Sequence, residues 1–295
     1  MTTSTPHPAA TFERRELELD QGPIRYRDSG GEGAPVVFVH GLLVDGRLWD
    51  GVAERLAPEL RCLVVDWPMG SHTAPMKPGA DLSPVGQARI VADFIERLGL
   101  GSATIVGNDS GGAISQILAT RHPERVERLV LTNCDSFEKF PPFPFNLMAP
   151  IARLPGGTAM LQAPLRLGAA RRAIYGLLAK RPIAPELVDS WLAPSARDAA
   201  IARDTRKLLI GLDKRLTLEA ADRLGKFDRP ALLAWGTDDR FFTLADAKRL
   251  AGVIPAARLV EIDEAKTFVA LDQPERLAEL IESFVSETQE AEIDR

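Results

Sequence analysis

The sequence is poor in the residues that staple, ligate or anchor a protein. Two cysteines, Cys62 and Cys134, both lie inside apolar runs. That excludes a disulfide framework and predicts buried free thiols in a reducing, cytoplasmic setting. Four histidines occur in 295 residues: His7, His40, His72 and His122. Neither a metal-ligand cluster nor a phosphate-cradling glycine loop is present, so no metal and no other cofactor is implied. No stretch approaches the ~18 apolar residues of a membrane span. Met1 to Glu13 has no apolar run, which predicts no secretory signal. The formal net charge is −5, and no Lys/Arg cluster is large enough to counter it. Nucleic acid and anionic membrane surfaces are therefore poor partner expectations. What remains is a monomer or homodimer acting on a small molecule.

What the chain does have is a rhythm. Glu16–Asp20 and Ile24–Asp28 alternate like two strands around Gln21-Gly22-Pro23. Pro35–Val39, Cys62–Val65, Ala103–Val106 and Leu129–Leu131 are short continuous apolar runs, as expected of strands buried on both faces. Amphipathic segments separate them, one spanning Leu48–Leu56 and one opening at Ser83-Pro84 with a cap and a first-turn proline. Strands alternating with helices predict a mainly parallel α/β sheet covered on both faces. The rhythm stops over residues 137–224, which are rich in Ala, Leu and Arg and show no strand pattern. It resumes with Ala231–Trp235, a helix from Leu244, Leu259–Ile262 and a last helix from Pro274. The expected organisation is a core of residues 1–136 and 225–295, with 137–224 as a helical lid over the carboxyl edge of the sheet.

The chemistry concentrates at Val106-Gly-Asn-Asp-Ser-Gly-Gly112, between a strand and a helix. A nucleophile elbow turns so sharply that the residues two before and two after its centre must be small. Centred on Asp109, those positions are Gly107 and Gly111. Centred on Ser110, they are Asn108 and Gly112, and one small residue is missing. The steric argument favours Asp109; the alternative is a glycine-rich turn with a solvent-facing carboxylate. Backbone N–H groups and a helix N-terminus around Asp109 predict a depressed pKa.

With His40-Gly41 after the third strand, Gly107–Gly111 after the fifth, Trp235-Gly-Thr-Asp-Asp239 after the seventh and Asp272-Gln-Pro-Glu-Arg276 opening the last helix, the chain resembles the α/β-hydrolase superfamily. The resemblance implies an eight-stranded, mainly parallel sheet flanked by helices, with a lid after the sixth strand. An aspartate at the elbow is similar to the epoxide hydrolase and haloalkane dehalogenase branch. There a carboxylate forms an alkyl ester that a histidine-activated water hydrolyses. By that resemblance Leu42 and Ser110 supply oxyanion N–H donors and Asp239 is the acid, with Asp238 its neighbour. Asp135, after the sixth strand, is a second candidate acid.

The departures from the family pattern are as informative. The position of the expected catalytic histidine is Thr267, which cannot take a proton near neutral pH. His7 lies in a tail, His122 at a helix end, and His40 belongs to the His-Gly mark. That leaves His72, in the loop Asp66–Pro75, as a candidate pocket residue and base; the alternative is an exposed loop histidine. His40, Trp67 and Phe242 are further pocket candidates. Ser110 and Leu42 stand where dehalogenases hold halide with Trp and Asn, which argues against dehalogenation. Of two tyrosines, Tyr26 and Tyr175, only Tyr175 lies in the lid, where epoxide hydrolases use two. The leading expectation is a cofactor-free hydrolase of a small or medium apolar substrate. Its rivals are a lyase, isomerase or cyclase using the same pocket, or a catalytically silent small-molecule receptor.

Overall fold

The computed structural model describes residues 12–293; His7 lies outside the described residues. The chain runs β1 (Glu13–Leu19), β2 (Gly22–Asp28), β3 (Pro35–Val39), α1 (Asp50–Leu56), β4 (Arg61–Asp66), α2 (Pro84–Arg97), β5 (Ala103–Asp109), α3 (Ser110–Arg121) and β6 (Val126–Cys134). Six helices follow: α4 (Met148–Arg153), α5 (Gly157–Gln162), α6 (Gly168–Leu178), α7 (Pro185–Arg197), α8 (Ala199–Gly211) and α9 (Lys214–Leu224). The chain closes with β7 (Ala231–Gly236), α10 (Leu244–Val253), β8 (Ala257–Ile262), α11 (Val269–Asp272) and α12 (Pro274–Ile293).

The eight strands form one sheet in the order β1-β2-β4-β3-β5-β6-β7-β8. The two β2 pairings are antiparallel, and β3 to β8 pair in parallel. Side-chain alternation splits the core in two. Val37 and Val39 join α2, α3 and α10 on one face, and Val36 and Phe38 join α1 and α12 on the other. A side chain as fully buried as Phe38 contributes roughly 1.5–3 kcal/mol relative to exposure. α2 starts where the sequence indicates: Ser83 accepts from Gly86 N–H and Pro84 fills the first turn.

Between β6 and β7 residues 137–224 add no strand to the sheet; an isolated bridge joins Ser136 to Lys139. Residues of this insertion line the cavity that opens onto the carboxyl ends of the strands. Among the described residues no helix is long and apolar enough to cross a membrane.

Candidate active site

β5 ends at Asp109 and α3 begins at Ser110, and the whole turn falls on Asp109, with φ 53° and ψ −132°. A non-glycine residue held there stores on the order of 1–3 kcal/mol of strain, which close packing must sustain. The packing explains the flanking glycines. A Cβ on Gly111 would lie 2.3 Å from the His40 carbonyl oxygen, and one on Gly107 would lie 2.5 Å from Ser115 Oγ. Gly41 is equally constrained, because a Cβ there would sit 2.1 Å from Asp109 Oδ2. The loop after β3 therefore reaches the elbow only because residue 41 has no side chain.

Asp109 opens into a cavity of about 240 Å³, walled largely by apolar side chains that include Leu42, Phe145, Phe241 and Phe242. Burial pushes its pKa up to about 7, helped by the Asp239 charge. The Ser110 N–H, the Ser110 hydroxyl and the Leu42 N–H favour the anion and only partly offset this. The expectation of a depressed pKa is thus corrected. The donors are present, but desolvation beneath the insertion outweighs them.

A second carboxyl shares the cavity. Asp135 is fully buried, its backbone N–H donates to the Asp109 carbonyl at 3.3 Å, and its Oδ1 has no hydrogen-bond partner among the described residues. Burial and then the Asp109 charge push its pKa well above the usual carboxylate range. Near neutral pH the pair accordingly holds at least one proton.

Asp239 does not line this cavity. Its Oδ1 accepts from the N–H groups of Phe241 (2.7 Å) and Phe242 (3.2 Å), and its Oδ2 from Asn133 Nδ2 (3.0 Å) and Thr267 Oγ1 (2.8 Å). Thr267 is fully buried, so its hydroxyl fills the space beside this acid. Asn133 and Asn108 complete the lattice: Asn133 Oδ1 accepts from Gly236 N, and Asn108 Nδ2 donates to Thr132 Oγ1 and the Asn133 and Thr267 carbonyls. Sequence reasoning missed both asparagines; their positions at the ends of β5 and β6 were the available signal. We expect Thr267→Val to leave one carboxylate oxygen under-satisfied and to destabilise the protein by about 1–3 kcal/mol, read by denaturant unfolding. Unchanged stability would show that the hydroxyl contributes nothing.

Three pocket expectations need correcting. His72 does not line the Asp109 cavity. It is buried, its Nδ1 accepts from Gly70 N (3.3 Å), and its Nε2 sits 3.5 Å from Asp204 on α8. Its loop folds under the insertion instead of toward the elbow, which leaves it no access to a water beside Asp109. His40 is buried behind the elbow, with Nδ1 on the Gly41 carbonyl and Nε2 accepting from Trp67 N–H. Desolvation lowers its pKa to about 4, so it stays neutral. Trp67 packs edge-on against Phe94 and donates Nε1–H to the Phe38 carbonyl, inside the core. Phe242 lines the cavity and Asp238 pairs outside it with Lys180. Tyr175 also lines the cavity, but its hydroxyl is committed to the Leu43 carbonyl at 2.7 Å.

Comparison with known proteins agrees with this fold. A haloalkane dehalogenase of Mycobacterium tuberculosis is 29% identical over 296 residues, covering 94% of this chain and 96% of the relative. A cis-3-alkyl-4-alkyloxetan-2-one decarboxylase of Xanthomonas campestris is 28% identical over 305 residues, covering 95% and 98%. Among solved structures, a loop variant of a haloalkane dehalogenase from Bradyrhizobium elkanii has a TM-score of 0.79 at 20% identity, covering 95% of this chain and 99% of that one. At that identity the likeness is one of fold. The sequence pattern of the alpha/beta hydrolase fold matches residues 34–274, most of the chain. With that pattern, the eight-stranded sheet and the strained elbow, the chain belongs to the α/β-hydrolase fold family of enzymes.

Proposed function

We propose that the protein is a cofactor-free hydrolase of a small or medium apolar electrophile, with Asp109 as nucleophile and Asp135 as its proton partner. The observation that carries this reading is the Asp109 carboxyl on a strained backbone, facing an apolar cavity that a second, fully buried carboxyl also lines. Attack by Asp109 on a strained or activated sp3 carbon forms a C–O ester bond and breaks the bond to the leaving oxygen. The Asp135 carboxyl gives its proton to that oxygen. The resulting Asp135 carboxylate then takes a proton from water, whose oxygen attacks the ester carbonyl, and the N–H groups of Leu42 and Ser110 hold the oxyanion. Collapse frees the alcohol and returns the pair to one shared proton, so the cycle balances without histidine. An epoxide or a strained cyclic ester fits this scheme. A halide leaving group does not, because Leu42 and Ser110 offer no side-chain cradle for it.

One observation favours a non-hydrolytic variant. Thr267 donates to Asp239, so that acid has no imidazole to orient toward a hydrolytic water. Ring opening followed by expulsion of a small fragment needs no water, and the relative in Xanthomonas is named for a decarboxylation. Peptide mass spectrometry after turnover in heavy-oxygen water separates the two readings. Ester hydrolysis deposits heavy oxygen in the Asp109 side chain; turnover without that label excludes an ester hydrolysed at its carbonyl.

A further inference from the structure

The charge of the chain is not evenly spread. Between Glu138 and Glu186 there are seven Lys and Arg residues and no Asp or Glu, in a protein whose net charge is −5. The same stretch holds every strongly exposed large apolar side chain among the described residues: Phe143 (75% exposed), Leu147, Leu154, Met160, Leu167 (66%) and Leu177. Its short helices follow closely on one another: α4 packs on α5, and both α5 and α6 pack on the turn Pro164–Arg166 between them. They bury little of themselves, since α6 buries only Tyr175 and α5 only Gly157. On α6 the residues Ala169, Arg172, Ala173 and Gly176 follow the helical period and face solvent together. Arg166, Arg172 and Arg181 make no ion pair among the described residues, whereas Arg171 and Lys180 pair with Asp189 and Asp238. Six exposed large apolar side chains within one stretch, interspersed with unpaired guanidinium groups, are not a neutral outcome of folding.

We propose that the outer surface of residues 139–185 docks the protein peripherally on an anionic lipid bilayer. Its apolar side chains enter the boundary between headgroups and acyl chains, and Arg166, Arg172 and Arg181 meet lipid phosphates. The physical fit is that of an interfacial amphipathic surface, with cations around a scatter of apolar anchors. Guanidinium groups match phosphate geometry bidentately, and their stems extend along apolar surface. Charge complementarity also argues against a second copy as the occupant. A two-fold contact would place this patch on itself, bringing cations to cations, while the adjoining Asp189 and Asp238 are already held by Arg171 and Lys180. Expectations from net charge alone set anionic membranes aside, but residues 139–185 carry seven cations and no acid of their own. The inner side of the same segment lines the Asp109 cavity through Phe145, Met148, Leu161 and Ile174. A bilayer bound outside would thus present lipid-dissolved apolar molecules across a single layer of helix.

Co-sedimentation of the full chain with vesicles tests this independently of any turnover. We expect firm partitioning onto phosphatidylcholine vesicles containing about one-third phosphatidylglycerol, weak partitioning onto phosphatidylcholine alone, and release of the bound protein as salt is raised. Each unpaired cation near an anionic surface is worth roughly fivefold, so R166Q/R172Q/R181Q should lose on the order of 100-fold in partitioning. L167S/L177S should weaken binding to both kinds of vesicle. All five substituted side chains are exposed or half-buried, and circular dichroism checks that the variants remain folded. The salt titration of the unaltered protein gives a readout that needs no variant. Absence of binding at low salt, equal binding to both vesicle types, or an unchanged triple variant would overturn the proposal. So would a solution dimer that L167S/L177S converts to monomer, which would assign the patch to self-association.

Discussion

Asp109→Asn will lower turnover by at least about 10⁴-fold, the scale of loss seen when a nucleophile is removed from a covalent mechanism. Ser110→Ala will leave activity within about tenfold, because Ser110 is asked for its backbone N–H, which alanine keeps. The contrast follows from the frame of the elbow. The strained φ, the close approach of Gly41 and the opening into the cavity all belong to Asp109. The Ser110 hydroxyl lies 3.3 Å from Leu42 N and 3.4 Å from Asp109 Oδ2, a supporting contact at the rim. Asparagine has the shape of aspartate and so preserves the fold while removing the attacking charge. Steady-state kinetics on an epoxide or strained-ester substrate settle the matter; equal losses in both variants would shift the chemistry to Ser110.

The second large effect concerns pH. Asp109 titrates at about 7 in the folded protein against 3.8 for the ordinary side chain, with burial the largest cause. Attack needs the carboxylate, so the rate should rise with pH and level off above about 7, until the higher-titrating Asp135 loses the proton it must donate. Stability should move the opposite way. A raised carboxyl pKa means the folded state binds protons that the unfolded chain has released. The associated stability is therefore fully present below pH ~4 and is lost as pH rises through ~7, up to about 4 kcal/mol if the shift is complete. Asp109→Asn should flatten that slope in thermal unfolding, leaving the parts that Asp66, Asp135 and Asp239 contribute with the same sign. Asp135→Asn should keep the inflection near 7, since burial and not Asp135 dominates it, but lower the plateau about 10²–10⁴-fold, as for loss of a general acid–base. A plateau within a few-fold of the unaltered protein would remove Asp135 from the mechanism.

The sheet was legible because strands buried on both faces leave little room for polar residues. Val36–Val39, Leu63–Val65 and Ala103–Val106 announce themselves by composition alone. The elbow was legible because backbone sterics are local; Gly107 and Gly111 are required by atoms only a few ångströms away. Partnerships across long sequence distances were not. His72 reads as a loop histidine at the sheet's carboxyl edge, and its partner Asp204 lies 132 residues further on. The pKa of Asp109 failed for a related reason. Donors near a carboxylate are visible in a motif, whereas the burial that outweighs them is a property of the folded chain. Summed charge hides a patch in the same way, since −5 is compatible with 47 consecutive residues free of acid.

The bond from the Tyr175 hydroxyl to the Leu43 carbonyl joins the insertion to the loop that carries the Leu42 N–H. Leu43 itself has a φ of 56°, so the loop is held in a conformation it would not adopt unaided. Any swing of α6 away from the sheet must either break that bond or drag the donor with it. In the proposed reaction, a swing that kept the bond would carry the Leu42 donor away from Asp109 as the cavity opened, so entry of a substrate and assembly of its donors would share one hinge point.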